Sequence, residues 1–171
     1  MKLDKLYDLF VLELQDLYDG EQQITQAIPQ MLEFAQSDEL KEALATHLEE
    51  TRSQSQKLEE ATKSLGIELE GKTCLGMEGI IEEATELMQE GVPSWTLDAG
   101  LIACAQKVEH YEIAGYGTAA AYAKQMGHTE MLNVLLDILQ EEKNADQKLT
   151  SIAEGLINRK ADKGMDASQA L

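Results

Sequence analysis

The chain has 171 residues, enough for one domain with a sizeable core. Its 14 basic and 32 acidic residues leave a formal charge of −18, which repels phosphate backbones and anionic membrane surfaces and so argues against a direct role on nucleic acid or lipid. Only 2 prolines occur, aromatic residues make up 5%, and Ala, Leu, Glu, Gln, Lys and Met abound, a composition that favours helices over strands.

A first helix is predicted from about Leu3 to Ala35. Leu3, Tyr7, Phe10, Leu14, Leu17, Glu21, Ile24 and Ile28 follow steps of three and four along one face. Pro29 has no N–H, so a kink or local break is expected there. Gln36, Ser37 and Asp38 form a short turn, with Ser37 or Asp38 as the next N-cap. The second helix runs from about Glu39 to Leu65. Its inward face is Leu40, Leu44, His47, Thr51, Gln54, Leu58, Ala61 and Leu65, with Glu50 beside it and Gly66 to end it. A connection over 67–73 leads to a short helix from about Gly76 to Gln89, closed by Gly91-Val92-Pro93. Ser94 caps a long helix from about Trp95 to Met126, dense in Ala and Gly, where Gly115 and Gly117 are packing positions and Gly127 is the stop. The last helix runs from about Thr129 to Asn158.

Two long antiparallel hairpins joined by a crossover with its own short helix make an all-α, ferritin-like four-helix bundle. One domain over residues 1–160 is expected, with 161–171 as a frayed tail. Cys74 and Cys104 lack zinc-ligand spacing and read as reduced, buried thiols. No signal peptide is evident in Met1–Tyr7 and no apolar run nears the ~20 residues of a membrane span, so a cytoplasmic protein is expected. Trp95, Leu97 and Leu101 exceed what one bundle would cover, which suggests a homodimer.

The informative residues are acids that interrupt the apolar stripes. Glu142 and Asp146 stand between Leu139 and Leu149 on the last helix, and Glu109 and Glu112 between Ala105 and Tyr116 on the fourth. Glu21 takes a Leu or Ile place on the first, and His47 and Glu50 lie three apart on the second. Counted from the turn at Gly127–His128, Glu112 and Glu142 are about 15 and 14 residues away, hence level at ~1.5 Å per residue; Glu109 and Asp146 are level too. Buried acids that converge must be neutralised, and a pair of divalent or trivalent cations does this. Oxygen-rich sets with one or two histidines suit iron or manganese. The dinuclear carboxylate pattern is a Glu from each of two helices and Glu-x-x-His from the others. This chain departs from it: Ala145 follows Glu142 at the third place and Ser53 follows Glu50. His110 and His128 read as peripheral, and Tyr18 and Tyr116 as core residues with bonded hydroxyls.

The runs His47-Leu48-Glu49-Glu50-Thr51, Cys74 to Ala84, Ala105 to Ala114 and Glu141 to Leu149 resemble the YciF/YciE family of bacterial ferritin-like stress proteins. The likeness covers about residues 3 to 160. It implies a rubrerythrin-like bundle with a di-iron site, dimerisation and a role under stress. Glu21, Glu50, Glu109, Glu112, Glu142 and Asp146 fall on its motif positions, with His47 a ligand or beside the ligands. Three functions follow: a di-iron protein reacting with oxygen or peroxide, a metal-binding or storage module without turnover, or a structural stress protein whose acidic core is vestigial. Two iron ions are the expected cofactors, with manganese or zinc as alternatives.

Overall fold

A computed structural model describes residues 3–164. It contains α1 (Leu6–Phe34), α2 (Asp38–Lys63), α3 (Leu75–Glu90), α4 (Trp95–Met126) and α5 (Thr129–Ile152). A π-helical turn over Ala153–Ile157 then leads into the short α6 (Asn158–Asp162). No strand occurs among the described residues. The fold is the expected all-α bundle: α1 packs on α2, α4 on α5, and the two hairpins close a ring through α1–α4 and α2–α5. The crossover helix α3 lies against α4 and α1. No helix among the described residues is long and apolar enough to cross a membrane.

The helix ends follow from local chemistry. Ser37 Oγ accepts the Leu40 N–H at 3.4 Å, and Ser94 Oγ accepts that of Leu97 at 3.1 Å. Gly127 ends α4 at φ +76°, a conformation costly for a side chain. Buried Asp98 of α4 accepts the N–H groups of Gln36 and Ser37 at 2.8 Å each, which ties the α1–α2 turn to the other hairpin. Cys74, expected only as a small buried hydrophobe, also caps α3: its sulfur accepts the Met77 N–H at 3.4 Å.

Several expectations are corrected. α1 has no local break at Pro29, which is exposed. The last helix is not continuous to Asn158 but carries the π-turn at Ala153. Trp95, Leu97 and Leu101 are all buried within the chain, and the Lys160 ammonium sits 3.8 Å over the Trp95 ring, so these residues leave no uncovered face. Residues 161–162 are helical rather than frayed, and the remainder of the expected tail, 165–171, lies outside the described residues.

Candidate metal centre

The core is two apolar clusters with a polar layer between them. One contains Ile24, Leu48, Ala105 and Leu149, the other Leu17, Leu58, Tyr116 and Ile138. On each long helix the buried side chains between these markers are polar: Glu21 on α1, Thr51, Gln54 and Ser55 on α2, Glu109 and Glu112 on α4, Glu142 on α5. Spacing explains the layer. Glu109 and Glu112 are three apart on the α4 stripe that faces both hairpins, and Glu142 stands at the same height on α5.

His47 at the edge of this layer and Glu109, Glu112 and Glu142 within it each bring one ligand-type atom within 4.8 Å of all the others. The three acids are at most 1% exposed and His47 is 8% exposed. Few of their polar atoms are satisfied. Gln54 Nε2 donates to Glu142 Oε1 at 2.5 Å and to Glu141 at 3.1 Å. His47 Nε2 lies 3.4 Å from Glu109 Oε1 without a hydrogen bond. Both Glu112 oxygens, Oε2 of Glu109 and of Glu142, and both His47 ring nitrogens have no hydrogen-bond partner among the described residues.

Electrostatics reflect that crowding. Burial pushes Glu112 well above the usual carboxylate range, and the charges of Glu142, Glu21 and Glu109 push it further. Burial raises Glu109 too, with Glu142 adding to it, and raises Glu142 against the opposing pull of Glu109 and then Gln54. Burial draws the His47 imidazole down to about 4, so it is neutral at pH 7 and free to act as a ligand. Three carboxyls with orphaned oxygens, crowded beside a neutral imidazole, cannot all stay ionised without a counter-charge. The donor set, hard oxygens with one nitrogen, fits iron or manganese. The residues present therefore fit a metal centre.

The other predicted residues are placed differently. Glu21 is fully buried beside the four: it accepts a hydrogen bond from the Tyr116 hydroxyl, and its second oxygen has no partner among the described residues. Glu50 is half-buried and lines a cavity together with His47 and Glu109. Asp146 is half-buried, accepts from Gln106 Nε2 at 2.9 Å and lies 3.5 Å from His110 Nε2, so it is engaged beside the four-residue cluster rather than in it. Tyr18 donates to Glu59 at 2.6 Å, and His128 stacks on Phe10 with ring centres 6.0 Å apart. Gln54 has a role not anticipated from the sequence; its signal was an amide on the inward face of the second helix, four residues after Glu50.

A family described as a domain of unknown function (DUF892) matches residues 5–162. Protein YciF of Escherichia coli K12 is 39% identical over 163 residues, covering 95% of this chain and 98% of that protein. The crystal structure of the E. coli stress protein YciF superposes with a TM-score of 0.88 at 38% identity, over 92% of this chain and all 100% of that one. YcfI of Rhodopseudomonas palustris gives 0.85 at 42% identity, over 90% and 99%. A Xanthomonas campestris protein shares the fold with a TM-score of 0.75 at 22% identity, over 94% and 99%. A match along nearly the whole chain, carried at this identity, places the chain in the DUF892 family, that of YciF.

Proposed function

We propose that the bundle core binds two transition-metal ions, iron first among them, and that the protein acts on oxygen or peroxide under stress. The observation that carries this reading is the His47–Glu109–Glu112–Glu142 cluster, whose buried oxygens and nitrogens have no partner among the described residues. When bound, iron(II) supplies one-electron reducing equivalents to oxygen or peroxide. These four residues would hold it, with Glu21, Glu50 and Asp146 as further candidates at the margin. Tyr116 fixes Glu21 and Gln54 fixes Glu142, so two carboxylates are oriented before any ion arrives. The apolar clusters close the core on both sides of the layer along the bundle axis. The E. coli relative is described as a stress protein, which is in keeping with a protective role.

Elemental analysis after anaerobic reconstitution with iron(II) tests the proposal. About two ions per chain are expected for the wild type, with losses in Glu112→Ala and Glu142→Ala and none in the exposed Glu130→Ala. Metal near zero in the wild type, with no shift in melting temperature, would sink it. Iron-dependent consumption of peroxide separates turnover from storage. A homodimer is a further part of the proposal, supported by the family likeness and by exposed Leu75 and Val92 near the ends of α3. A monomer by light scattering at micromolar concentration would remove that part.

A further inference from the structure

The cluster is approached from two sides that differ in chemistry. Among α1, α2, α3 and α4 a narrow cavity of about 30 Å3 reaches His47 and Glu109 past Ile24, Met31, Ala84 and Val108. A hydrated cation would have to shed water there with little in exchange. Between α2 and α5 a wider cavity of about 250 Å3 ends on the same His47 and Glu109, with Glu42, Glu50, Ala145 and Lys148 in its walls. It adjoins a shallow surface depression of about 550 Å3 that shares Glu42, Thr46 and Glu50 and adds Glu49 and Glu141.

Glu42, Thr46 and Glu50 follow at steps of four, one ladder along α2, with Glu42 and Thr46 exposed and Glu50 half-buried. Glu49 and Glu141 are engaged by Arg52 at 2.5 Å and Lys57 at 2.7 Å, whereas no ion pair is found for Glu42 or Glu50 among the described residues. Lys148 is a cation in the same wall, but an exposed one. The inner end of the passage is built to receive a ligand: His47 and Glu109 present buried nitrogen and oxygen atoms without partners. The opening has a cause in the sequence. The dinuclear pattern places a histidine three residues after the glutamate of such a helix. Here that place is Ala145, and its methyl leaves the cavity clear.

The geometry points to an access route for divalent cations, with Glu42 at the mouth, Glu50 in the neck and Ala145 setting the width. It rests on the proposal that the core binds metal. Cobalt(II) is a suitable probe: its uptake by metal-free protein is followed by stopped-flow visible absorption, and the endpoint by elemental analysis. Glu42→Lys should slow uptake at low salt by about three- to tenfold, within the leverage of steering charges. Most of that deficit should vanish at high salt. Ala145→Leu should slow uptake at both salt concentrations. Both variants should reach the wild-type endpoint. Glu130→Lys, the same charge change on an exposed residue in the first turn of α5, should leave the rate unaltered. Unchanged rates in Glu42→Lys and Ala145→Leu at a wild-type endpoint overturn the route and leave the metal proposal standing. A lowered endpoint in Glu42→Lys makes Glu42 a ligand and also overturns the route. A wild type that takes up no cobalt removes both.

Discussion

Glu112 and Tyr116 sit one turn apart on α4, both buried, and answer to opposite physics. Glu112 has two oxygens without hydrogen-bond partners and is surrounded by other acids. Keeping it in the metal-free core at neutral pH costs either a proton taken up or a buried charge. Glu112→Gln removes that cost with nearly the same shape. The metal-free variant should be more stable than wild type at pH 7.5 while its metal content falls. Tyr116 instead supplies the hydrogen bond that Glu21 receives. Tyr116→Phe orphans a buried carboxyl and should lower metal-free stability by roughly 1–3 kcal/mol. Urea unfolding in the presence of a chelator reads both, and equal signs would contradict the account. Glu142→Ala is a poorer probe, since it also takes one of two hydrogen bonds from the Gln54 amide and leaves only that to Glu141. Stripe position alone made Glu109, Glu112 and Glu142 legible in the sequence as inward acids. It did not separate them from Asp146, one turn beyond Glu142, because an apolar stripe is ≳ 100° wide and its edge residues can turn either way. What turns Asp146 aside is Gln106 and His110 on α4, partners that no spacing within α5 reveals.

At the scale of the helix, α4 shows how a glycine can be needed in one place and wasted two residues later. A Cβ on Gly115 would meet Leu17 Cδ2 at 2.7 Å and Glu13 Oε1 at 3.3 Å, so side chains of α1 fill the space that the Cβ would take. A Cβ on Gly117 would meet nothing within 4 Å. Glycine within a helix costs about 0.8–1 kcal/mol relative to alanine. Gly117→Ala should therefore stabilise the protein by up to about that amount. Gly115→Ala should lose the gain or turn it into a loss, because buried Leu17 has to move. Chemical denaturation of the two variants tests this, and a larger gain at Gly115 would refute it. The bounds of α4 were readable because Ser94 and Gly127 mark both ends. The π-turn in the last helix was not readable. Its wider winding changes the register: Ile157 is fully buried there, whereas Leu156, next in the three-four steps from Leu149 and Ala153, is only partly so. No residue type in Ala153–Ile157 announces such a turn.

For the molecule as a whole, the polar layer divides what would otherwise be one continuous core, and its protonation has to appear in overall stability. The arrangement of two hairpins could be read from sequence because helix length, short turns and a long crossover leave few alternatives. The electrostatic state of the layer could not, because it depends on how far each acid is withdrawn from water. Glu21, Glu109, Glu112 and Glu142 are all raised above 4.5 by burial and then by one another or neighbouring acids. The folded chain thus holds protons that the unfolded chain releases, and stability is lost as pH rises from about 4.5 through the folded values. His47 works the other way: lowered from 6.5 to about 4, it makes stability rise with pH across that interval and adds no slope above it. The buried thiols of Cys74 and Cys104 are raised above 9.0 and enter only at higher pH. Between pH 6.5 and 8 the carboxyls of the layer are left to set the trend. Metal-free protein should lose stability across that window, by up to about 1.4 kcal/mol per pH unit for each group still titrating. A bound cation requires the acids ionised, so its binding releases protons and tightens with pH. The gap in melting temperature between protein in saturating manganese(II) and protein in chelator should therefore widen from pH 6.5 to 8. Parallel melting curves across the window would mean that the acids are already ionised in the metal-free fold, or that manganese(II) does not bind to them.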